Sequence, residues 1–409
     1  MDLNIYCDYK ENFNHCDTRD FEIKHPIKNI MFDNIDWLRN LDKIGKLRPC
    51  VLPNIEKMLL CRTVYLGFDR FECPNCGNES IVPHSCHSRF CNACGVKYAK
   101  QLAAKAVSFC LDVPHRHIIF TISDKLWNWF RQDRSRLNLL FIAARNTICA
   151  IVNNNLYKKA KRKGLKNTHY LYKNYRHSKQ FGMISTIHTF GRDLKWNPHV
   201  HILLADGYVD EANVFHRLKF ISYTALRKRW MTTLLYALRD NIDDKYKAML
   251  KRITNILYRK YDNGFYVYAP PTKYKNVDDT VDYVVRYVGR PVMAQSRITD
   301  YDPVNKTVSY WYERHDDGVR VDVCESVIDF MKKLILHIPD DQFKMIRYYG
   351  IYASVKKKTR SLVKTMTKRL FRVSPFKKNW RDLLIHTFHH DPLLCRCGHY
   401  MEFLECYVP

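Results

Sequence analysis

His199-Val200-His201, inside LKWNPHVHILLADG, sets two imidazoles one apolar residue apart on a segment with strand character. Side chains alternate along a strand, so both imidazoles leave one face while Val200 enters the core on the other. Two neighbouring ring nitrogens suit one divalent ion. The 18 histidines give about 0.8 His-x-His pairs from composition alone, so paired core or edge histidines stay open as a second reading. Another such pair, His115-Arg116-His117, has a charged centre and follows Pro114, which places it at a strand entrance.

Cysteine supplies the next chemistry. Of fifteen cysteines, Cys61, Cys73, Cys76, Cys86, Cys91 and Cys94 crowd into residues 61–94, where even scatter gives roughly one. Cys73-Pro-Asn-Cys76-Gly and Cys91-Asn-Ala-Cys94-Gly are two CxxC knuckles, each with a glycine where the turn tightens. Their four thiolates are expected to close one tetrahedral structural zinc site. Cys61, Cys86, His84 and His87 remain as additional ligands or as core and solvated side chains. Cys395-Arg-Cys397-Gly-His399 is too compressed for a normal knuckle, and no carboxy-terminal zinc site is expected from it.

Tyr283-Val-Val-Arg-Tyr287 sets two phenols at i and i+4, on one face of a helix. The 27 tyrosines give about 1.8 such pairs by composition, and Tyr348/Tyr352 is another, so the spacing alone describes an aromatic helix face equally well. A tyrosine attacking a phosphodiester needs a polarised phosphate and a stabilised leaving oxygen, which a histidine-held ion supplies. It also needs a surface for a polyanion. The 68 Lys and Arg against 41 Asp and Glu, formally +27, give one and point to nucleic acid. No run of 18 apolar residues, lipidation site or secretory segment is evident, so no membrane and a cytoplasmic location are expected. There disulfides are rare, which again assigns the cysteines to metal.

Periodicity places these residues on elements. VKYAKQLAAKAVSFCL (96–111) predicts a helix, HIIFTI (117–122) a strand, and 124–158 a long helix. FGMISTIHTF (181–190) and HVHILLA (199–205) predict an antiparallel hairpin. Helical periodicity covers about 211–260, then a strand at 264–270, a helix at 277–290, a strand at 308–313 and a helix at 324–339. This order implies an α+β fold with a mainly antiparallel sheet and flanking helices. The expected divisions are a polar helical segment (1–50), a zinc-binding domain (51–112), a nuclease domain (113–300), its extension (301–355) and a basic tail (356–409). Within that tail, 356–381 carries eleven Lys or Arg and no acid.

LKWNPHVHIL, HTFGRDL just before it and YVVRY downstream resemble the HUH (His-hydrophobic-His) nucleases. More narrowly, they resemble the paired-tyrosine rolling-circle transposases of the insertion sequence ninety-one family. The likeness extends to CRTVYLG, the block CPNCG…HSCHSRFCNACG, VPHRHIIFTI, FYVYAPP, VGRPV and IRYYGIYA, and covers most of 55–355. The resemblance implies a palm like an RNA-recognition motif preceded by a small zinc-binding domain. It implies that His199 and His201 hold Mg²⁺ or Mn²⁺, that Tyr283 and Tyr287 are nucleophiles, and that the cysteine block binds structural Zn²⁺. Such sites recruit a third ligand. The hairpin brings His188 back to the pair, with Asp279 and Asp282 as alternatives. Phe90 and Asn92 depart from the His and Pro of many relatives. The implied activity is cleavage and rejoining of single-stranded DNA, at transposon ends and target DNA, through a 5′-phosphotyrosine, by a nucleoid-associated protein. A replication initiator or relaxase would share the histidines and tyrosines. A non-catalytic zinc-dependent DNA-binding protein would share only the knuckles and the charge.

Overall fold

The computed structural model describes residues 26–111, 113–153, 179–210, 212–218, 221–270, 291–314, 317–354, 381, 385 and 391–409. Tyr283, Tyr287, Asp279, Asp282 and the helix expected over 277–290 lie outside the described residues, as does nearly all of the basic run 356–381.

The chain begins with α1 (Pro26–Asp33), α2 (Ile35–Lys43) and α3 (Val51–Leu59), then the hairpin β1 (Phe68–Glu72) and β2 (Glu79–Pro83). Helix α4 (Asn92–Phe109) leads to β3 (His115–Phe120). The continuous helix expected over 124–158 is divided into α5 (Trp127–Gln132) and α6 (Leu137–Val152). Asp133 divides them: its backbone is extended, and its carboxylate accepts from the Ser135 amide at 3.0 Å, which starts a new turn. The stretch 134–152 is apolar enough on average to be weighed as a membrane span. Twelve of the sixteen residues of α6 are nevertheless buried against the sheet, which accounts for that composition.

The long hairpin β4 (Gln180–Phe190) and β5 (Trp196–Val209) comes next, followed by β6 (Phe215–Arg217), α7 (Tyr223–Asp240), α8 (Asp244–Lys260) and β7 (Val267–Tyr268). The helical reading of 211–260 therefore holds only from α7 onward. Ser222 caps that helix by accepting from the Ala225 amide. A second meander, β8 (Ile298–Asp302), β9 (Thr307–Glu313) and β10 (Arg320–Ser326), runs into α9 (Val327–Ile335). Cys324–Ser326, expected as the first turn of that helix, ends the strand instead. The Ser326 hydroxyl accepts from the Asp329 amide and fixes the start of α9. The last strands are β11 (Ile346–Gly350) and β12 (Glu402–Tyr407).

The fold is α+β with antiparallel sheets and flanking helices. The central sheet runs β11-β4-β5-β3-β7, with β6 added beside β5. One face carries Phe120, Met183, Ile187, Val200, Ile202 and Leu204 into the main core beneath α6, α7 and α8. The opposite face carries Ile184, Leu203 and Ala205 toward Leu102 of α4, and holds the histidines. A second core joins α1–α3 to β9, α9 and the cysteines at 61, 86, 91 and 94. Residues 301–335 thus pack with the amino-terminal helices, and β11 rejoins the central sheet. Strand β12 returns to the beginning of the chain and pairs with β1.

Candidate active site and cysteine clusters

Strand β5 lies between β4 and β3, so side chains from three strands meet over its centre. In the ladder His188 faces His199, Thr186 faces His201, and His201 faces Ile119 of β3. Because Ile118 and Phe120 point into the main core, His117 lies on the same face as His199 and His201. The three imidazoles of His188, His199 and His201 converge, with one nitrogen of each within 4.8 Å of the others. His188 and His201 are buried and His199 is half-buried. The register that could have turned His188 away brings it onto the cluster face.

Ring orientation is fixed from outside the cluster. His199 Nδ1 donates to the Asn197 carbonyl at 2.7 Å, which leaves its Nε2 lone pair aimed inward. That nitrogen lies 3.0 Å from His201 Nε2. Two lone pairs at this distance repel unless a proton or a cation lies between them. An octahedral ion with ligands at about 2.1 Å has an edge of about 3.0 Å, so the pair fits one. On the other side of the ring, His201 Nδ1 lies 3.1 Å from His117 Nε2. This is the outer-shell arrangement that holds a ligating imidazole in one tautomer. Thr186, opposite His201, has a buried hydroxyl without a hydrogen-bond partner among the described residues, a further sign of a polar group to be accommodated here.

The second His-x-His pair divides its duties. His117 supports the cluster from outside through His201, whereas His115 Nε2 lies 2.8 Å from the Tyr352 hydroxyl. Burial holds the His115 imidazole down at about 4, so it stays neutral at physiological pH. Arg116, the charged centre, points the other way and pairs with buried Asp206. The signal for His117 was in the spacing, but the strand entrance hid it.

The cysteines contradict the expected grouping. Cys91 and Cys94 do not share a site with Cys73 and Cys76. They converge with Cys61 and Cys86, all four buried. Sulfur separations are 3.5 Å for Cys61–Cys94, 3.6 Å for Cys86–Cys94 and 3.8 Å for Cys61–Cys91. A tetrahedron with Zn–S of 2.3 Å has an edge of about 3.8 Å, so these thiols fit one zinc ion. The physical reason is the hairpin: the Cys73–Cys76 turn is at its tip, while Cys61 and Cys86 flank its base beside the first turn of α4. Hydrogen bonding among the four sulfurs lowers the Cys61 and Cys94 thiols and raises those of Cys86 and Cys91, so the four act as one coupled group. Cys73 and Cys76 instead meet Cys395 and Cys397. His84 joins neither group: its Nε2 lies 3.3 Å from Asp69 and 3.9 Å from Cys406.

Residues 34–122 match the family model of a transposase zinc-binding domain, and 182–360 match that of a putative transposase. The transposase for insertion sequence element IS801 of Pseudomonas savastanoi pv. phaseolicola is 31% identical over 343 residues, covering 80% of this chain and 76% of that protein. The chain belongs to the insertion sequence ninety-one family of transposases. The putative transposase y4qJ of Sinorhizobium fredii is 23% identical over 307 residues, 71% of each chain. No solved structure matches the chain significantly.

The two matched segments of this transposase contain different sets of candidate residues. The first contains Cys61, Cys86, Cys91 and Cys94, and a structural Zn²⁺ in the amino-terminal region agrees with their geometry. The second contains His188, His199, His201, Tyr283 and Tyr287, while Cys395 and Cys397 fall outside both. Because the Cys61 cluster is part of the second core, Cys94→Ser should lose its zinc and unfold the helices packed on it. Apparent binding at structural zinc sites is about 10–16 kcal/mol, comparable to or above a domain's whole stability of about 5–15. Zinc content and near-ultraviolet circular dichroism check this; a folded, zinc-free variant would contradict it.

Proposed function

We propose that this transposase cleaves and rejoins single-stranded DNA through a 5′-phosphotyrosine formed by Tyr283 or Tyr287. The observation carrying this reading is the convergence of His188, His199 and His201 on one sheet face, two of them oriented by partners outside the cluster. His199 and His201 through Nε2, with His188, would hold the divalent ion, and an imidazole-rich set suits Mn²⁺ better than Mg²⁺. Bound there, such an ion would polarise the scissile phosphate and stabilise the leaving oxygen. The phenol gives up its proton as its oxygen bonds to phosphorus and the bond to the 3′-oxygen breaks, and that oxygen takes up a proton and leaves as a 3′-hydroxyl. Because the ester retains the phosphodiester's energy, a later 3′-hydroxyl can reseal the strand. The second tyrosine permits another cleavage while the first is occupied.

Two further features support DNA as the substrate. Strand β7 pairs beside β3, and Tyr268, its ring edge-on to His117 and exposed, is placed to stack an unpaired base. Helix α8 buries only Leu250 and Leu257 while carrying Lys245, Lys247, Lys251, Arg252, Arg259 and Lys260, a surface for phosphates.

The test is incubation with single-stranded oligonucleotides carrying the ends of the element that encodes the protein, plus Mn²⁺. A denaturation-resistant protein–DNA adduct and a released strand with a free 3′-hydroxyl are expected. Cleavage without any adduct would overturn the tyrosine mechanism.

A further inference from the structure

The turn Cys73–Cys76 and the compressed turn Cys395–Cys397 are built alike, though more than 300 residues separate them in the chain. In the first, the Cys73 amide donates to the Asn78 carbonyl and the Gly77 amide donates to the Cys73 carbonyl. In the second, the Cys395 amide donates to the His399 carbonyl and the Gly398 amide to the Cys395 carbonyl. Gly77 and Gly398 both take a left-handed backbone, with φ of +66° and +86°. One residue fewer between the cysteines tightens the second turn without changing this plan.

Across the two turns, Cys73 Sγ lies 3.5 Å from Cys397 Sγ and Cys76 Sγ lies 3.6 Å from Cys395 Sγ. These contacts are too long for disulfides and close to the tetrahedral edge of about 3.8 Å expected around zinc. They are too short to bracket an iron–sulfur cluster, whose sulfides hold cysteine ligands apart. The side-chain amides of Asn75 and Asn78 approach Cys397 and Cys395 at 3.8 Å, donors suited to thiolate sulfur.

Apolar packing in this unit is slight, apart from the ring contacts Phe68–Tyr407 and Phe71–Phe403. All six residues of β12 are exposed, and the buried core below the sheet is Phe71, Cys73, Cys395 and Met401, edged by partly buried Val82 and Leu393. Two of those four are cysteines of the cluster. Small units of this kind fold when a metal supplies what burial does not.

We propose that Cys73, Cys76, Cys395 and Cys397 bind a second Zn²⁺ that fastens the carboxy-terminal segment 391–409 onto the β1–β2 hairpin. The site unites two segments more than 300 residues apart in the chain. It also differs from the Cys61 cluster in exposure, since Cys76 and Cys397 reach solvent whereas all four ligands of the other are buried. The second ion should therefore exchange first.

Metal analysis of the full-length protein tests this. The wild type should carry two zinc ions per chain, and Cys395→Ser/Cys397→Ser should carry one. Cys73→Ser/Cys76→Ser should also carry one, and so should all four changes combined, because either pair empties the same site. Two ions retained after Cys395→Ser/Cys397→Ser, or one ion in the wild type that survives this change, would overturn the proposal. A measurement on the wild type covers the case in which a variant misfolds. Mild chelation followed by thiol alkylation should label Cys73, Cys76, Cys395 and Cys397 together and ahead of Cys61, Cys86, Cys91 and Cys94. Ready labelling of Cys395 and Cys397 before chelation, with Cys73 and Cys76 still protected, would refute a shared ion.

Discussion

The variant Tyr283→Phe/Tyr287→Phe is expected to fold, bind DNA and form no covalent adduct. Phe keeps the ring and its packing and removes only the oxygen that would bond to phosphorus, for which no other atom can substitute. Each single variant should retain partial cleavage and fail complete transposition. The chain contains a control in Tyr348 and Tyr352, which share the spacing but lie on and just after β11 rather than on a helix. Burial pushes the Tyr348 phenol up to about 12. Tyr352 is buried, its oxygen accepting from the Leu111 amide at 3.3 Å and facing His115 at 2.8 Å. Tyr352→Phe should therefore cost about 1–3 kcal/mol of stability by leaving buried groups unsatisfied, while adduct formation persists. Mass spectrometry of the trapped peptide reads the result directly: a nucleotide on any residue other than Tyr283 or Tyr287 would refute the assignment.

His199→Ala or His201→Ala should reduce cleavage by about a thousand-fold or more, because ion-assisted stabilisation of the transition state is worth several kcal/mol. DNA affinity should scarcely change, since it comes from many Lys and Arg contacts to phosphate. Two further substitutions separate the roles within the cluster. His188→Ala should weaken the apparent Mn²⁺ affinity; an unchanged affinity would pass the third position to Asp279, Asp282 or water. His117→Ala, which removes the group 3.1 Å from His201 Nδ1, should cost about 10–100-fold in metal affinity or activity, the range for an outer-shell partner. Activity that survives both chelation and His201→Ala would end the metal reading.

Much of the histidine-bearing strand was legible locally. The apolar alternation around Val200 fixed which face His199 and His201 share, and the short polar link at 191–197 indicated the hairpin, whereas the register that sets His188 opposite His199 came from the structure. Alternation is a property of consecutive residues, so no distant contact was needed to read it. Helix boundaries were less legible because caps override periodicity: Asp133 and Ser326 each end one element and start the next.

The sequence by itself determined the ligand types, the two-residue spacing of the histidines and the turn-forming glycines of the knuckles. The tertiary structure decided which ligands meet. Spacing brings two cysteines of one knuckle together, but a tetrahedral ion needs four, and the other pair comes from wherever the chain folds back. Hence Cys91 and Cys94 join Cys61 and Cys86 at the base of the hairpin, while Cys73 and Cys76 at its tip meet Cys395 and Cys397. The same holds for His117, which reaches His201 only because β3 pairs with β5 in a register that no local pattern specifies.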